Sequence, residues 1–228
     1  MIKQIVIASQ NKGKLDEFRR LFGPESGIEL IVDERFIPPD EVEPTYYGNA
    51  TLKAIVAARQ CCAFALGEDS GIEIMALNGM PGPLSARFAA LPEEMRAELI
   101  ENPSVRLMRL AACLRIDELP SAAENNELLL QLIREQAEYA LLPIGARYVS
   151  HLVLVDPYGG VVLRVECSAY GRILNFPTGT GGFGHDPIIS LWPHVDRSVA
   201  QLTPVEKDAV SHRGQAVRLL LEHLRRSV

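Results

Sequence analysis

The sequence predicts an α/β protein, and three patterns along its 228 residues indicate this class. Up to about residue 76, short apolar runs typical of buried strands alternate with helical patterns. Farther along, residues 147–156 and 161–169 are β-rich and are joined by the turn-forming sequence PYGG, which favours a hairpin. The chain closes with an amphipathic helical pattern over residues 215–226. We therefore expect strands and helices throughout.

The first elements follow from the spacing of apolar residues. Residues 5–8 (IVIA) predict a buried strand, and the apolar residues that follow lie on one side of a helix ending at Phe22. Residues 28–32 predict a second strand. Residues 47–64 predict a long helix that carries Lys53, and two further strands are expected around Leu66 and Ile72.

The later elements include a helical stretch and a capped helix. Residues 92–142 are helical by pattern, with breaks at Pro103 and Pro120, and we interpret them as an insertion that serves packing or subunit contact. The sequence TPVE at residues 203–206 has the form of a capping box, with Pro204 at the first helical position. A helix is expected to begin there.

A candidate phosphate site follows the first strand. Ser9, Asn11 and Lys14 lie in a short polar segment that leads from a strand into a helix. Unpaired N–H groups and the helix dipole favour an anion at such a helix start, and Lys14 adds a positive charge. The segment does not have the Walker pattern G-x-x-x-x-G-K-[ST]. An ordinary capped helix with solvated lysines is the alternative interpretation.

Two groups of acidic residues are candidate metal ligands. Asp40, Glu41 and Glu43 lie in a proline-flanked extended stretch, and Glu68 and Asp69 precede Ser70-Gly71. Carboxylates at strand ends or in loops suit Mg²⁺, which takes one or two of them and completes its shell with water and phosphate oxygens. The alternative is that these residues are turn acids and helix caps.

A glycine-rich segment near the end of the chain is a candidate binding site for a flat ring. Residues 180–187 (TGGFGHDP) place three glycines around Phe183, and residues 211–214 read SHRG. Glycines let backbone N–H groups approach a ligand closely, and Phe183 offers a stacking surface. Asp186, His212 and Arg213 are suited to hydrogen bonds with the edge of a base. A tight loop between strands is the alternative.

Composition narrows the class of protein. The 47% hydrophobic and 23% charged content is typical of a globular chain, no apolar run approaches membrane-spanning length, and no signal-peptide pattern is present. The net charge of −6 argues against a general nucleic-acid-binding protein. The four cysteines have no C-x-x-C spacing, so neither a zinc site nor a disulfide framework is indicated. We expect a cytoplasmic enzyme.

Six motifs together resemble the inosine triphosphate pyrophosphatase family, whose members act on noncanonical purine nucleoside triphosphates. They occur in the family order and are Ser9-x-Asn11-x-x-Lys14, TYYGNATLK at 45–53, EDSG at 68–71, PGPLSAR at 81–87, the loop at 179–187 and SHRG at 211–214. The resemblance fails only between about residues 88 and 146. One departure lies within a motif, because His185 stands where the family usually has Tyr or Trp. Its imidazole can still stack on a base, and we expect it to titrate near neutral pH and so to affect base choice.

The resemblance implies a fold and a reaction. The expected fold is one domain over residues 1–228, with a long, twisted mixed sheet, flanking helices, and two lobes with a cleft between them. The expected reaction hydrolyses ITP, dITP or XTP between the α and β phosphates, giving the monophosphate and pyrophosphate. A homodimer is also expected. A site that offers donors to the six-position carbonyl would favour deaminated bases over adenine.

The resemblance also implies roles for individual residues. Asp69 and Lys53 are the expected catalytic residues, and Glu41 and Asp69 the expected Mg²⁺ ligands, with Glu43 and Glu68 as open alternatives. The expected substrate-binding residues are Ser9, Asn11, Lys14, Ser70, Phe183, Gly184, His185, Asp186, Lys207, His212 and Arg213. Two other functions stay open: hydrolysis of pyrimidine or modified triphosphates, as in the Maf-type pyrophosphatases, and nucleotide binding without turnover.

Overall fold

The computed structural model describes residues 2–102, 118–136 and 143–226. The strands in this part of the chain are β1 (Gln4–Ala8), β2 (Glu29–Ile31), β3 (Ala65–Ile74), β4 (Gly145–Val155), β5 (Val161–Ile173) and β6 (Ile189–Leu191). Its α-helices are α1 (Lys12–Phe22), α2 (Tyr46–Cys61), α3 (Glu93–Glu101), α4 (Ala122–Glu135), α5 (Pro204–Val210) and α6 (His212–Arg226).

The six strands form one mixed sheet in the order β2-β1-β3-β4-β5-β6. Strand β1 pairs in parallel with β2 and with β3, whereas β5 and β6 are antiparallel. The turn between β4 and β5 is closed by a hydrogen bond from the Asp156 N–H to the Gly160 carbonyl. The predicted α/β class and the predicted hairpin are confirmed.

The chain divides into two compact units. Unit 1 comprises Met1–Ser70, Ser150–Cys167 and His212–Val228, and unit 2 comprises Gly71–Val149 and Ser168–Ser211. Because the divisions fall within β3, β4 and β5, each of these strands contributes residues to both units.

Unit 1 buries both faces of strand β1. Ile5 and Ile7 pack in a cluster with Phe18 of α1 and Leu220 of α6, while Val6 belongs to a second cluster that contains the alanines of α2. Alternate residues of a strand point to opposite faces, so a continuous apolar run is expected where helices cover both. This explains why residues 5–8 lack the alternation of a half-exposed strand.

Unit 2 has its own core, to which the predicted insertion contributes. Leu99 of α3 and Leu129 and Ile133 of α4 are buried among apolar residues of β3 and of the segment that follows it. These helices therefore pack in the core, as the sequence predicts for part of the insertion. Residues 103–117 and 137–142 of the predicted insertion lie outside the described part of the chain.

Two local predictions are corrected by the structure. The strands expected around Leu66 and Ile72 are one strand, β3, so Glu68 and Asp69 lie inside a strand rather than in a turn. Gly67 allows α2 to pack closely on β3, because a Cβ there would lie 2.0 Å from the Ala50 carbonyl oxygen. The last helix, expected over residues 215–226, begins at His212, so three residues of the SHRG motif lie in its first turn.

No helix among residues 2–102, 118–136 and 143–226 combines the length and the apolar character needed to cross a membrane.

Candidate active site

The segment after β1 forms the helix start that the sequence predicts. Asn11 is the N-cap of α1, and its side-chain oxygen accepts a hydrogen bond from the Lys14 N–H at 3.1 Å. The Ser9 hydroxyl accepts one from the Asn11 N–H at 3.2 Å. These bonds fix the polar segment at the end of the strand, and they direct the first turn of α1 toward the residues of β3.

Strand β3 divides the acidic residues between two faces of the sheet. Glu68 and Asp69 are 2% and 5% exposed, so both carboxyl groups are buried. Since neighbouring residues of a strand point to opposite faces, they enter different environments. Glu68 faces α1 and α6, and Asp69 faces α2, as their partners show.

Glu68 is surrounded by positive and hydroxyl groups of unit 1. Its Oε1 accepts hydrogen bonds from Arg213 Nη2 at 2.9 Å and from the Ser150 hydroxyl at 3.2 Å. Lys14 Nζ lies 2.8 Å from Oε2. Burial raises the pKa of Glu68, but the charges of Arg213 and Lys14 outweigh this and hold it well below its usual range. Glu68 is therefore a fixed anion at neutral pH.

Arg213 is the largest fully buried side chain in the described part of the chain, with 1% of its surface exposed. Its guanidinium forms ion pairs with Glu17 of α1 and with Glu68, and it donates a hydrogen bond to the Ser70 hydroxyl at 3.0 Å. The sequence leads us to expect Arg213 as a donor to the base. In unit 1 its donors are directed at these neighbours, so its role in base recognition stays a prediction.

Asp69 forms the second charged group of unit 1. Its Oδ1 accepts a hydrogen bond from Lys53 Nζ at 3.2 Å, and its Oδ2 accepts one from the Asn49 amide at 3.4 Å. Lys53 Nζ also lies 2.6 Å from Glu41 Oε1. Burial raises the pKa of Asp69 to about 6, although Lys53 opposes the rise. This carboxyl group is thus half ionised at about pH 6 and largely ionised at pH 7.

The carboxylates around Lys53 suit a divalent cation. Glu41 and Asp69 each direct an oxygen at the ammonium group of Lys53. The two carboxylates therefore already bind one positive charge between them. Glu43 adjoins the same group through its backbone, because the Asn49 amide accepts a hydrogen bond from the Glu43 N–H and donates both to the Glu43 carbonyl and to Asp69 Oδ2. Two converging carboxylates are what Mg²⁺ uses when phosphate oxygens complete its shell. Among the described residues, no group of three His, Cys, Asp or Glu side chains has the arrangement of a metal site.

The glycine loop, which we define as residues 179–187, is organised by Asp186 within unit 2. Asp186 accepts hydrogen bonds from Lys207 Nζ at 2.5 Å, from the Phe183 N–H at 2.8 Å and from the Tyr148 hydroxyl at 3.1 Å. Lys207 Nζ also lies 4.6 Å from the centre of the Phe183 ring. A Cβ at Gly182 would lie 2.1 Å from an Asp186 oxygen, so a side chain there would exclude this turn. The loop therefore holds Phe183 and Lys207 in fixed relation.

His185 is buried in the same unit, and both ring nitrogens have neighbours. Nδ1 lies 2.6 Å from Asn126 Oδ1 and Nε2 lies 3.2 Å from the Ser85 carbonyl oxygen. The sequence predicts an imidazole that titrates near neutral pH. Burial instead lowers the pKa of His185 to about 4, against a small opposing effect of the Ser85 carbonyl, so the ring is neutral from pH 6 to 9.

The predicted site residues fall into two groups. Within unit 1 the structure brings together side chains of the phosphate segment, the acidic strand and the SHRG helix, which include Lys14, Glu41, Lys53, Asp69, Ser70 and Arg213. His212, also in unit 1, is buried at the first residue of α6. Unit 2 contains Phe183, Gly184, His185, Asp186 and Lys207.

The sequence reasoning missed several residues of these groups. The sequence does indicate Glu17, because this residue lies three positions after Lys14 and therefore on the same face of α1. Asn49 lies inside the TYYGNATLK motif. Ser150, Tyr148 and Asn126 carry no comparable signal, since the contacts that make them relevant join residues far apart in the chain.

Comparison with known proteins identifies the family. The sequence model of the Ham1 family matches residues 5–115 and 97–223. A dITP/XTP pyrophosphatase from Gloeobacter violaceus is 36% identical over 225 residues, which is 97% of this chain and 94% of that protein. A dITP/XTP pyrophosphatase from Ralstonia nicotianae is 37% identical over 230 residues and 98% of both chains.

Solved structures agree with the sequence comparison. A HAM1 protein from Coxiella burnetii is 30% identical, with a TM-score of 0.74 over 99% of this chain and 100% of that one. A nucleoside-triphosphatase / dITP/XTP pyrophosphatase from Mycobacterium abscessus is 34% identical, with a TM-score of 0.61 over 96% of this chain and 98% of that one. Because the matches extend over nearly the whole length at these identities, the chain belongs to the Ham1 family.

Proposed function

We propose that this protein hydrolyses noncanonical purine nucleoside triphosphates, dITP, ITP and XTP, to the monophosphate and pyrophosphate. The observation that carries the proposal is the buried pair Glu68 and Asp69, whose pKa values are displaced in opposite directions on one strand. A buried carboxyl group whose pKa is raised, beside one that stays ionised, is typical of a site in which the first exchanges a proton and the second acts as a fixed charge. The family relatives named dITP/XTP pyrophosphatase supply the substrate class.

The phosphate chain is expected to bind unit 1. Lys14 and the N–H groups at the start of α1 are suited to phosphate oxygens, as are the Ser9 hydroxyl and the ammonium of Lys53. In the structure both lysines are paired with carboxylates. A triphosphate would therefore compete with Glu68 and Glu41 for these cations, which adds a cost to binding but holds the lysines in place beforehand.

Asp69 is the proposed general base. With its pKa raised to about 6, it is largely ionised at pH 7 and yet basic enough to take a proton in the transition state. Water attacks the α-phosphorus, its proton passes to an Asp69 oxygen, and the bond to the β-phosphate oxygen breaks to release pyrophosphate. Phosphoryl chemistry depends mainly on positioning and charge neutralisation, which Lys14 and Lys53 supply.

Mg²⁺ is the proposed cofactor, and Glu41 and Asp69 are its proposed ligands because both converge on Lys53. When bound, Mg²⁺ neutralises phosphate charge and lowers the pKa of bound water. The fixed anion Glu68 keeps Lys14 and Arg213 in place, and we assign it no proton transfer because its pKa is held well below the usual range.

The glycine loop is the proposed base-recognition element. Phe183 offers a flat surface, Lys207 lies against its ring, and the fixed backbone of the loop offers N–H donors. Donors aimed at the six-position favour hypoxanthine and xanthine, because adenine presents an amino group there and would leave them unpaired. His212 and Arg213 are further proposed donors from their place at the start of α6.

The decisive experiment measures pyrophosphate release from dITP, XTP, dATP, dGTP, dCTP and dUTP, with and without Mg²⁺. We expect turnover that requires Mg²⁺, prefers dITP and XTP by at least about 10²-fold, and yields monophosphate as the first product. Diphosphate as the first product would contradict the reaction proposed here. Preference for dCTP or dUTP would indicate a Maf-type activity, and tight binding without turnover would indicate a binding protein.

A further inference from the structure

Asn126 of helix α4 joins the predicted insertion to the glycine loop. Its amide nitrogen donates a hydrogen bond to the Gly184 carbonyl at 3.1 Å, and its Oδ1 lies 2.6 Å from His185 Nδ1. The side chain is 4% exposed. Asn126, Phe183 and Gly184 also line one cavity of about 610 Å³ in unit 2. One amide thus contacts two consecutive residues of the loop.

The hydrogen bonds around His185 cannot all form when its ring is neutral. The Ser85 carbonyl only accepts, so Nε2 must carry a proton to bond with it. Asn126 Oδ1 also only accepts, so Nδ1 must carry a proton as well. Turning the amide by 180° would let its NH₂ group donate to Nδ1, but the Gly184 carbonyl would then face an oxygen and lose its donor. A neutral ring therefore satisfies two of the three bonds. With its proton on Nδ1 it keeps both Asn126 bonds and loses the one to Ser85, and with its proton on Nε2 it keeps the bond to Ser85 while the turned amide loses the one to Gly184. An imidazolium satisfies all three.

The charged group next to His185 in the chain is neutralised by an ion pair. Asp186, the next residue of the loop, is paired with Lys207, and the neighbours from α4 and from the Ser85 segment are an amide and a carbonyl. Burial thus dominates and keeps the ring neutral at physiological pH. Under these conditions the orientation of the Asn126 amide decides whether the Gly184 carbonyl is anchored.

We infer that Asn126 is a positioning residue: its amide couples the choice of which nitrogen of the neutral His185 ring carries the proton to the hydrogen bond that anchors the Gly184 carbonyl, and thereby sets how well the glycine loop holds the base. The inference rests on the proposed function, since it assigns Asn126 to the loop proposed to recognise that base. It also gives helix α4 a part in substrate binding that its sequence pattern does not indicate.

Two variants separate the two bonds of the amide. Asn126→Leu removes both, and Asn126→Asp keeps the size and an acceptor for Nδ1 but cannot donate to Gly184. Both should raise the KM for dITP by roughly tenfold, the usual effect of losing one buried hydrogen bond, with kcat changed less than about threefold. Gln131→Leu is the matched control, because Gln131 is an exposed amide on the same helix, bonded to Glu135.

Two measurements distinguish positioning from a general loss of structure. Inorganic tripolyphosphate lacks a base, so its inhibition constant should stay within about twofold in both variants. The ¹⁵N ring signals of His185, assigned by their absence in His185→Tyr, report the protonation of the ring. In Asn126→Asp the new carboxylate should raise the pKa of His185 by about 1–3 units, whereas in Asn126→Leu the pKa should stay low.

Each possible result supports or overturns the positioning role of Asn126. A larger KM for dITP, unchanged tripolyphosphate binding and a raised His185 pKa in Asn126→Asp support it. An unchanged KM, an equal loss for both ligands, or an unshifted pKa in Asn126→Asp overturns it. If Asn126→Leu fails to fold, the isosteric Asn126→Asp decides alone, and failure of both overturns a positioning role. A wild-type protein without turnover would overturn the proposed function, whereas dITP binding and the His185 titration would still test Asn126.

Discussion

Replacing Asp69 by Asn tests the two roles proposed for this carboxyl group, general base and Mg²⁺ ligand. The amide has nearly the same size and polarity, so it removes the charge and the basicity of the carboxyl group with little change in packing. A positioned general base contributes about 10²- to 10⁴-fold to the rate of such reactions. We therefore expect kcat for dITP to fall by roughly 10²-fold or more, because Glu68, ion-paired with Lys14 and Arg213, is too weak a base to substitute.

The pH profile supplies a second arm of the same test. The pKa of Asp69 is about 6 without a metal, and Mg²⁺ bound to this carboxylate would lower it. At saturating Mg²⁺, wild-type kcat/KM should therefore fall about tenfold for each pH unit below a midpoint at or below about pH 6, as the base becomes protonated. The Asn variant should lack this acid limb in its residual activity. The stability of the protein should depend on pH in the opposite way to its activity. Folding raises the pKa of Asp69, so its contribution to the free energy of unfolding is greatest at low pH and is lost as the pH rises through about 6.

The assay is pyrophosphate release from dITP at saturating Mg²⁺, from pH 5 to 9. Circular dichroism and thermal melting of both proteins control for folding, and Glu98→Gln, on helix α3 of unit 2, serves as a carboxylate-to-amide control outside the proposed site. If kcat of the Asn variant is within a few-fold of the wild-type value, or if the variant keeps the acid limb, the assignment is refuted. Asp69 would then have only a structural role, as the partner of Lys53 and Asn49.

Three further predictions concern binding, packing and assembly. Lys14→Ala and Lys53→Ala should each weaken binding of dITP more than binding of dIMP by isothermal titration, since both ammonium groups are expected to contact phosphates that the monophosphate lacks; equal losses would place the lysines elsewhere. Gly67→Ala should lower the free energy of unfolding by about 1–3 kcal/mol, measured by urea denaturation, because the added Cβ would lie 2.0 Å from the Ala50 carbonyl oxygen; unchanged stability would show that α2 and β3 separate at little cost. The protein should be a homodimer, as the family resemblance implies, and light scattering that gives the monomer mass at micromolar concentration would contradict this.

Elements that depend on near neighbours in the chain were predictable. The N-cap at Asn11, the capping box from Thr203 to Glu206 and the turn after Asp156 each satisfy backbone groups within a few residues, so their signals are local. The α/β class follows in the same way from the period of the apolar residues.

The triplet Asp69-Ser70-Gly71 shows where local signals mislead. These residue types favour turns, yet they lie within β3, which pairs with β1 through residues 65–67 and has β4 as its other neighbour in the sheet. The context that overrides the turn preference comes from residues far away in the sequence.

The sequence by itself determined which chemical groups the protein has and in what order: three lysines of the proposed site, a set of carboxylates, a glycine-rich loop and the family motifs. The tertiary structure alone decided their pairing. Strand geometry sends Glu68 and Asp69 to opposite faces of the sheet, where one meets Arg213 and Lys14 and the other meets Lys53. Their pKa values diverge because burial and neighbouring charges depend on three-dimensional distances, and the separation of residues along the chain does not give these distances.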